Sequence, residues 1–166
     1  MSKTLIVYYS RKGENYWNGS IKNLSKGNTE IVAEMIADIT GGDLFEVDTE
    51  KTYPADYYAC IDEAKEELRR KDRPEVKTYK EGLEEYDTIY VGYPNWFDEA
   101  PMVIDTFLES FDFSGKTIVP FCTSASDSID NSLHIFSELA PDAVIADGLT
   151  ANDEADIEPW LNELGY

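Results

Sequence analysis

Short runs of β-branched and aromatic residues alternate with longer amphipathic stretches along this chain, and the alternation sets the expected architecture. Lys3-Thr-Leu-Ile-Val-Tyr-Tyr9 is apolar at almost every position and stops at Ser10-Arg11-Lys12-Gly13, the pattern of a strand buried on both faces. Residues 10–28 contain Gly13, Gly19 and Gly27 among several Asn and Ser, and read as one long loop. From Thr29 a helix is expected through Ile39, with Ile31 or Val32, Met35, Ile36 and Ile39 on one face and Gly41-Gly42 as its stop. Asp43 to Asp48 alternates like a second strand, and Ala55 to Lys71 reads as a charged amphipathic helix that ends before Pro74.

The second half repeats the theme. Asp87 to Tyr93 is a third buried strand, broken by Pro94, and Pro101 begins a helix running through Ile104, Phe107 and Leu108. Lys116 to Cys122 is a fourth strand, although Pro120 lacks the N–H that a central strand uses. A polar loop from Thr123 to Asp130 leads to a helix near Ile129 to Leu139, a short fifth strand near Ala143 to Ala146, and a last helix from about Asp156 to Leu164. Strands alternating with helices imply right-handed crossovers and a parallel sheet covered on both faces. In such a sheet ligands bind beyond the carboxyl ends of the strands, which directs attention to residues 10–29, 93–100 and 122–130.

Composition narrows the possibilities. With 166 residues, 42% of them apolar and 13% aromatic, residues 1–166 are expected to fold as a single domain with one sizeable core. The apolar runs fall far short of the ~20 residues of a membrane helix, and no apolar leader follows Lys3, so a soluble cytoplasmic protein is expected. Cys60 and Cys122 lie far apart and read as core thiols, and the single histidine, His134, reads as an ordinary helix position. Thirty-four acidic against 14 basic side chains give a net charge of −20. That charge repels nucleic acid and anionic membranes; it suits a basic protein partner, or serves solubility alone.

Each candidate loop has two readings. Gly27-Asn28-Thr29, with Ser10 at the other end of the same expected loop, is either a phosphate seat at a helix N-terminus or a plain helix cap. Trp96 and Phe97, held between Pro94 and Pro101, either stack on a flat heteroaromatic ring or fold back as loop core. Thr123-Ser-Ala-Ser-Asp-Ser128 offers donors to a ring's polar edge, or forms a turn and cap.

Tyr9-Ser10-Arg11-Lys12-Gly13-Glu14-Asn15, Gly92-Tyr93-Pro94-Asn95-Trp96, Thr106-Phe107-Leu108-Glu109 and the run Asp112 to Thr123 together resemble the short-chain flavodoxin-like proteins across nearly the whole chain. The resemblance implies an α/β flavodoxin-like three-layer sandwich: a five-stranded parallel sheet in the order 2-1-3-4-5 with helices on both faces. It also implies FMN at the carboxyl ends of the first and third strands. By this likeness Ser10, Arg11, Gly27, Asn28 and Thr29 would hold the phosphate. Tyr93, Pro94, Asn95, Trp96 and Phe97 would line one side of the isoalloxazine, with Trp96 the stacking candidate. Thr123, Ser124, Ala125 and Ser126 would contact the ring edge or ribityl chain. Two features depart from the familiar pattern. A polar insert divides the phosphate loop, and Phe97, Asp98 and Ser124-Ala-Ser-Asp127 replace residues that are a second Trp or Gly in relatives.

The function expected from this likeness is an FMN-binding electron-transfer protein serving redox partner proteins with basic docking surfaces. The alternative on the same scaffold is an FMN-dependent NAD(P)H quinone or nitro reductase. A non-flavin binding protein, or a hydrolase using Ser, Asp and His134, is a third class; no G-x-S-x-G motif supports the hydrolase.

Overall fold

A computed structural model of the chain describes residues 3–9, 13–17, 20–24, 28–47, 57–70, 82–94, 102–123, 129, 132–146, 148–150 and 157–163. The central sheet takes β1 (Thr4–Tyr8), β4 (Asp43–Glu46), β5 (Thr88–Pro94), β6 (Thr117–Thr123), β7 (Val144–Ile145) and β8 (Leu149–Thr150). Its spatial order is β4-β1-β5-β6-β7, with β8 also on β6, and every pairing in it is parallel. Leaving aside an inserted hairpin, this is the 2-1-3-4-5 order that the resemblance implies.

Alternation along the strands divides the core in two. Leu5, Val7, Ile89, Val91, Tyr93, Ile118 and Cys122 face one side, where α3 (Met102–Glu109) and α4 (His134–Leu139) supply Val103, Ile104, Phe107, Ile135 and Phe136. Ile6, Tyr8, Tyr90, Val119 and Phe121 face the other, against Val32, Ala33 and Ile36 of α1 (Asn28–Thr40) and Ile157, Trp160 and Leu161 of α5 (Ile157–Glu163). The charged helix is α2 (Tyr57–Arg70). Cys60 and Cys122 are buried free thiols, and His134 is an exposed first residue of α4. Among the described residues no helix is long and apolar enough to cross a membrane.

Five expectations change. The stretch read as a loop between the first strand and first helix contains an antiparallel hairpin, β2 (Gly13–Trp17) with β3 (Ser20–Leu24), paired from Gly13↔Leu24 to Trp17↔Ser20. On α1 the buried stripe is Thr29, Val32, Ala33 and Ile36, while Ile39 is 42% exposed. Pro94 does not break the third strand but ends it, paired with Thr123. Among the described residues of the helix expected near Ile129 to Leu139, the regular α-helix is His134–Leu139. The fifth strand position is shared by two fragments, β7 and β8.

That division accounts for Pro120. Val144 N donates to Lys116 O and Ala146 N to Ile118 O, whereas Thr117 N donates to Asp87 O, so even-numbered residues of β6 turn their polar groups toward β7 and β8. Pro120 therefore directs its missing N–H into the break between the two fragments. Gly148 lies in that break, where a Cβ would come within 2.9 Å of the Pro120 carbonyl oxygen.

Candidate functional site

The sheet reverses its winding between β1 and β5, and the carboxyl ends of these strands lie side by side. Tyr9 N donates to Gly92 O at 3.0 Å, and Val47 N donates to Tyr8 O at 2.7 Å, which extends the ladder to the edge on both sides of β1. On the third strand Gly92 faces Tyr8 across one ladder and Phe121 across the other. Glycine is required there because a Cβ at position 92 would fall onto the Phe121 ring.

At this edge α1 begins, a helix of 13 residues whose first-turn N–H groups are not satisfied within the helix. Thr29 in that turn is 2% exposed, and its Oγ1 lies 2.8 Å from Thr123 Oγ1 at the end of β6. This bond brings together two expected site residues that are 94 positions apart in sequence. Each hydroxyl has one hydrogen; the shared bond uses one of the two and leaves one for another acceptor.

Tyr93, expected to line one side of the ring, turns its side chain into the core. The side chain is fully buried on the α3 and α4 side, with its centroid 6.0 Å from that of Phe136 and its hydroxyl 2.7 Å from Ser132 Oγ. At the edge it therefore presents backbone only. Pro94 is half-buried and paired with Thr123. Asn28 is the first residue of α1. Ser10, Arg11, Gly27, Asn95, Trp96, Phe97, Ser124, Ala125 and Ser126 lie outside the described residues.

Sequence reasoning missed the residues that frame the third loop. Ile129 N donates to Thr150 Oγ1 at 2.8 Å, and the Thr150 hydroxyl also meets the Cys122 thiol, so both ends of residues 123–129 are tied to β6 and β8. Burial pushes that thiol up to about 12, with the Thr150 contact opposing the shift. Beside the first strand's end, burial and then the carboxylates of Glu46, Glu30 and Glu34 push the Tyr8 phenol up to about 12. Carboxylates of α1 and β4 therefore stand close enough to the Tyr8 hydroxyl to oppose its ionisation. Among the described residues no cluster of ligating side chains suits a metal.

This arrangement offers an anion seat at a helix N-terminus next to a strand-order reversal, in a setting otherwise acidic. A family model described as flavodoxin matches residues 21–164. A solved Bacteroides eggerthii protein, provisionally called a flavoprotein, is 32% identical with a TM-score of 0.81 over 100% of this chain and 99% of its own. A similar protein from Bacteroides uniformis is 31% identical, with a TM-score of 0.80 over 97% of this chain and 98% of its own. A Lactobacillus acidophilus flavoprotein solved in complex with FMN is 27% identical, with a TM-score of 0.71 over 97% of this chain and 99% of its own. No curated protein matches the chain.

Proposed function

The chain belongs to the flavodoxin family, and on that premise we propose that it is an electron-transfer protein holding FMN non-covalently at the carboxyl edge of its sheet. The observation that carries this reading is the buried Thr29–Thr123 hydroxyl pair at the start of α1, beside the β1/β5 reversal. The donor set at the start of α1 suits a phosphate monoester: backbone N–H groups, a helix dipole and a buried hydroxyl attract the anion.

The phosphate group would be held by Thr29 with Asn28 and Gly27, and by Ser10 and Arg11 from the first strand's end. Pro94, Asn95, Trp96 and Phe97 would flank the ring with Trp96 stacked on it, and Tyr93 would contribute backbone alone. Thr123, Ser124, Ala125 and Ser126 would close the other side. FMN, when bound, supplies the redox chemistry. The chain's own residues bind, orient and set the field, and no side chain is required as a catalyst.

That field is unfavourable to added negative charge. Glu30, Glu34 and Glu46 act on Tyr8 at the edge, and the whole chain carries −20. The electron that leaves a net negative charge on the flavin, the second, should be harder to hold than in water, which lowers the second reduction potential, and salt should raise it again by screening. The same charge suits a redox partner with a basic docking surface.

A reductive titration of the FMN-loaded protein tests the assignment. Two separated one-electron waves are expected, with slow bleaching by NAD(P)H alone. A single two-electron wave with rapid NAD(P)H-driven bleaching would assign the chain instead as an FMN-dependent quinone or nitro reductase.

A further inference from the structure

We infer that Thr123 is a positioning residue for the phosphate end of the cofactor, acting through Thr29, rather than a donor to the edge of the ring; the inference rests on the FMN reading above. The two hydroxyls are 2.8 Å apart, and either can be the donor in the protein alone. Both residues are buried, Thr29 at 2% and Thr123 at 5% exposure, so neither side chain is freely hydrated.

A phosphate oxygen removes the ambiguity of direction. It is an acceptor, so a Thr29 that donates to it has spent its only hydrogen and can only accept from Thr123. Thr123 then spends its own hydrogen on Thr29 and has none for a ring carbonyl. The resulting chain runs from Thr123 to Thr29 to phosphate, and a hydroxyl that accepts one hydrogen bond donates the next more strongly.

The anchor is also stiff. Thr123 is held in β6 opposite Pro94, so the bond fixes the first turn of α1 against the sheet itself. A donor held by a second, well-packed residue loses less freedom when the ligand arrives.

The test is a titration of the full-length apoprotein with FMN and, separately, with riboflavin, for the native chain and for Thr123→Val, Thr123→Ser, Thr29→Val and the double Val variant. Thr123→Val should weaken FMN about 3- to 10-fold, the scale of one lost hydrogen bond, and leave riboflavin within about 2-fold, with Thr123→Ser restoring FMN binding. Against Thr29→Val, the double variant should lose little more, because the second residue acts through the first. The ratio of the two affinities cancels general loosening, and Thr123→Ala reads the same ratio if the valine variant does not fold. An equal loss for FMN and riboflavin, or additive losses, would overturn the inference while leaving FMN binding intact. A native chain that does not prefer FMN to riboflavin would overturn the underlying reading, and the inference with it.

Discussion

The Tyr93 phenol donates a hydrogen bond of 2.7 Å to Ser132 Oγ inside the core, joining the end of β5 to the turn before α4. Its direction follows from Ser132, which spends its own hydrogen on the Ile129 carbonyl at 3.0 Å. Ile129 in turn donates to Thr150, whose hydroxyl meets Cys122. The ends of β5, β6 and β8 and the turn before α4 therefore share one hydrogen-bonded frame.

Tyr93→Phe keeps the ring and removes this bond. The expected cost is about 1 kcal/mol of folding stability, the net value of a buried hydrogen bond. Urea unfolding should register it as a lower midpoint with an unchanged slope. Since the ring faces the core, FMN affinity should change much less than it does on altering Trp96.

Gly92→Ala sets a methyl group against the Phe121 ring. Overpacking of this kind costs roughly 1–3 kcal/mol. A smaller side chain at the facing position should relieve part of it, so Gly92→Ala with Phe121→Leu should be less destabilised than the sum of the two single variants, by thermal or urea unfolding.

Alkaline pH should loosen the protein through groups that the fold keeps protonated. The Tyr8 phenol rises from 10.0 to about 12, and the Cys122 thiol from 9.0 to about 12. In both cases the folded chain holds its proton longer than the unfolded one. The stabilisation is whole below the unfolded values and is lost as pH climbs through about 9 toward 12. Melting temperature should fall across that range, and less steeply in Tyr8→Phe. Below it, neither cysteine should react with a thiol reagent until denaturant is added, because Cys60 is 3% and Cys122 0% exposed.

Most of the fold could be read from periodicity. The buried strands announce themselves as β-branched runs such as Leu5-Ile6-Val7, since a strand covered on both faces needs apolar residues at successive positions. The hairpin was hidden because Glu14-Asn15 and Lys22-Asn23 break any apolar alternation, and β2 and β3 pair with each other outside the main sheet. The direction of the Tyr93 ring was hidden for another reason. A motif names a position, but the pleat decides its face, and Tyr93 shares the parity of Ile89 and Val91. At the candidate site, Thr29 and Thr123 could each be singled out in the sequence, but their bond crosses two elements and is visible only once helix and strand are packed.

Trp96→Ala tests the ring side of the site separately. A stack lost together with its buried area should weaken FMN by roughly 1–3 kcal/mol and restore much of the flavin fluorescence in the complex. Preference for FMN over riboflavin should survive, because the phosphate contacts are untouched. Unchanged affinity and quenching would mean that Trp96 packs within its own loop.

The most direct measurement for the whole account is the visible absorption and fluorescence of FMN titrated with the apoprotein. Saturable one-to-one binding is predicted, with strong quenching of the flavin emission and structured, shifted absorption bands. An FMN spectrum and emission left unchanged by excess folded protein would contradict the account at its centre.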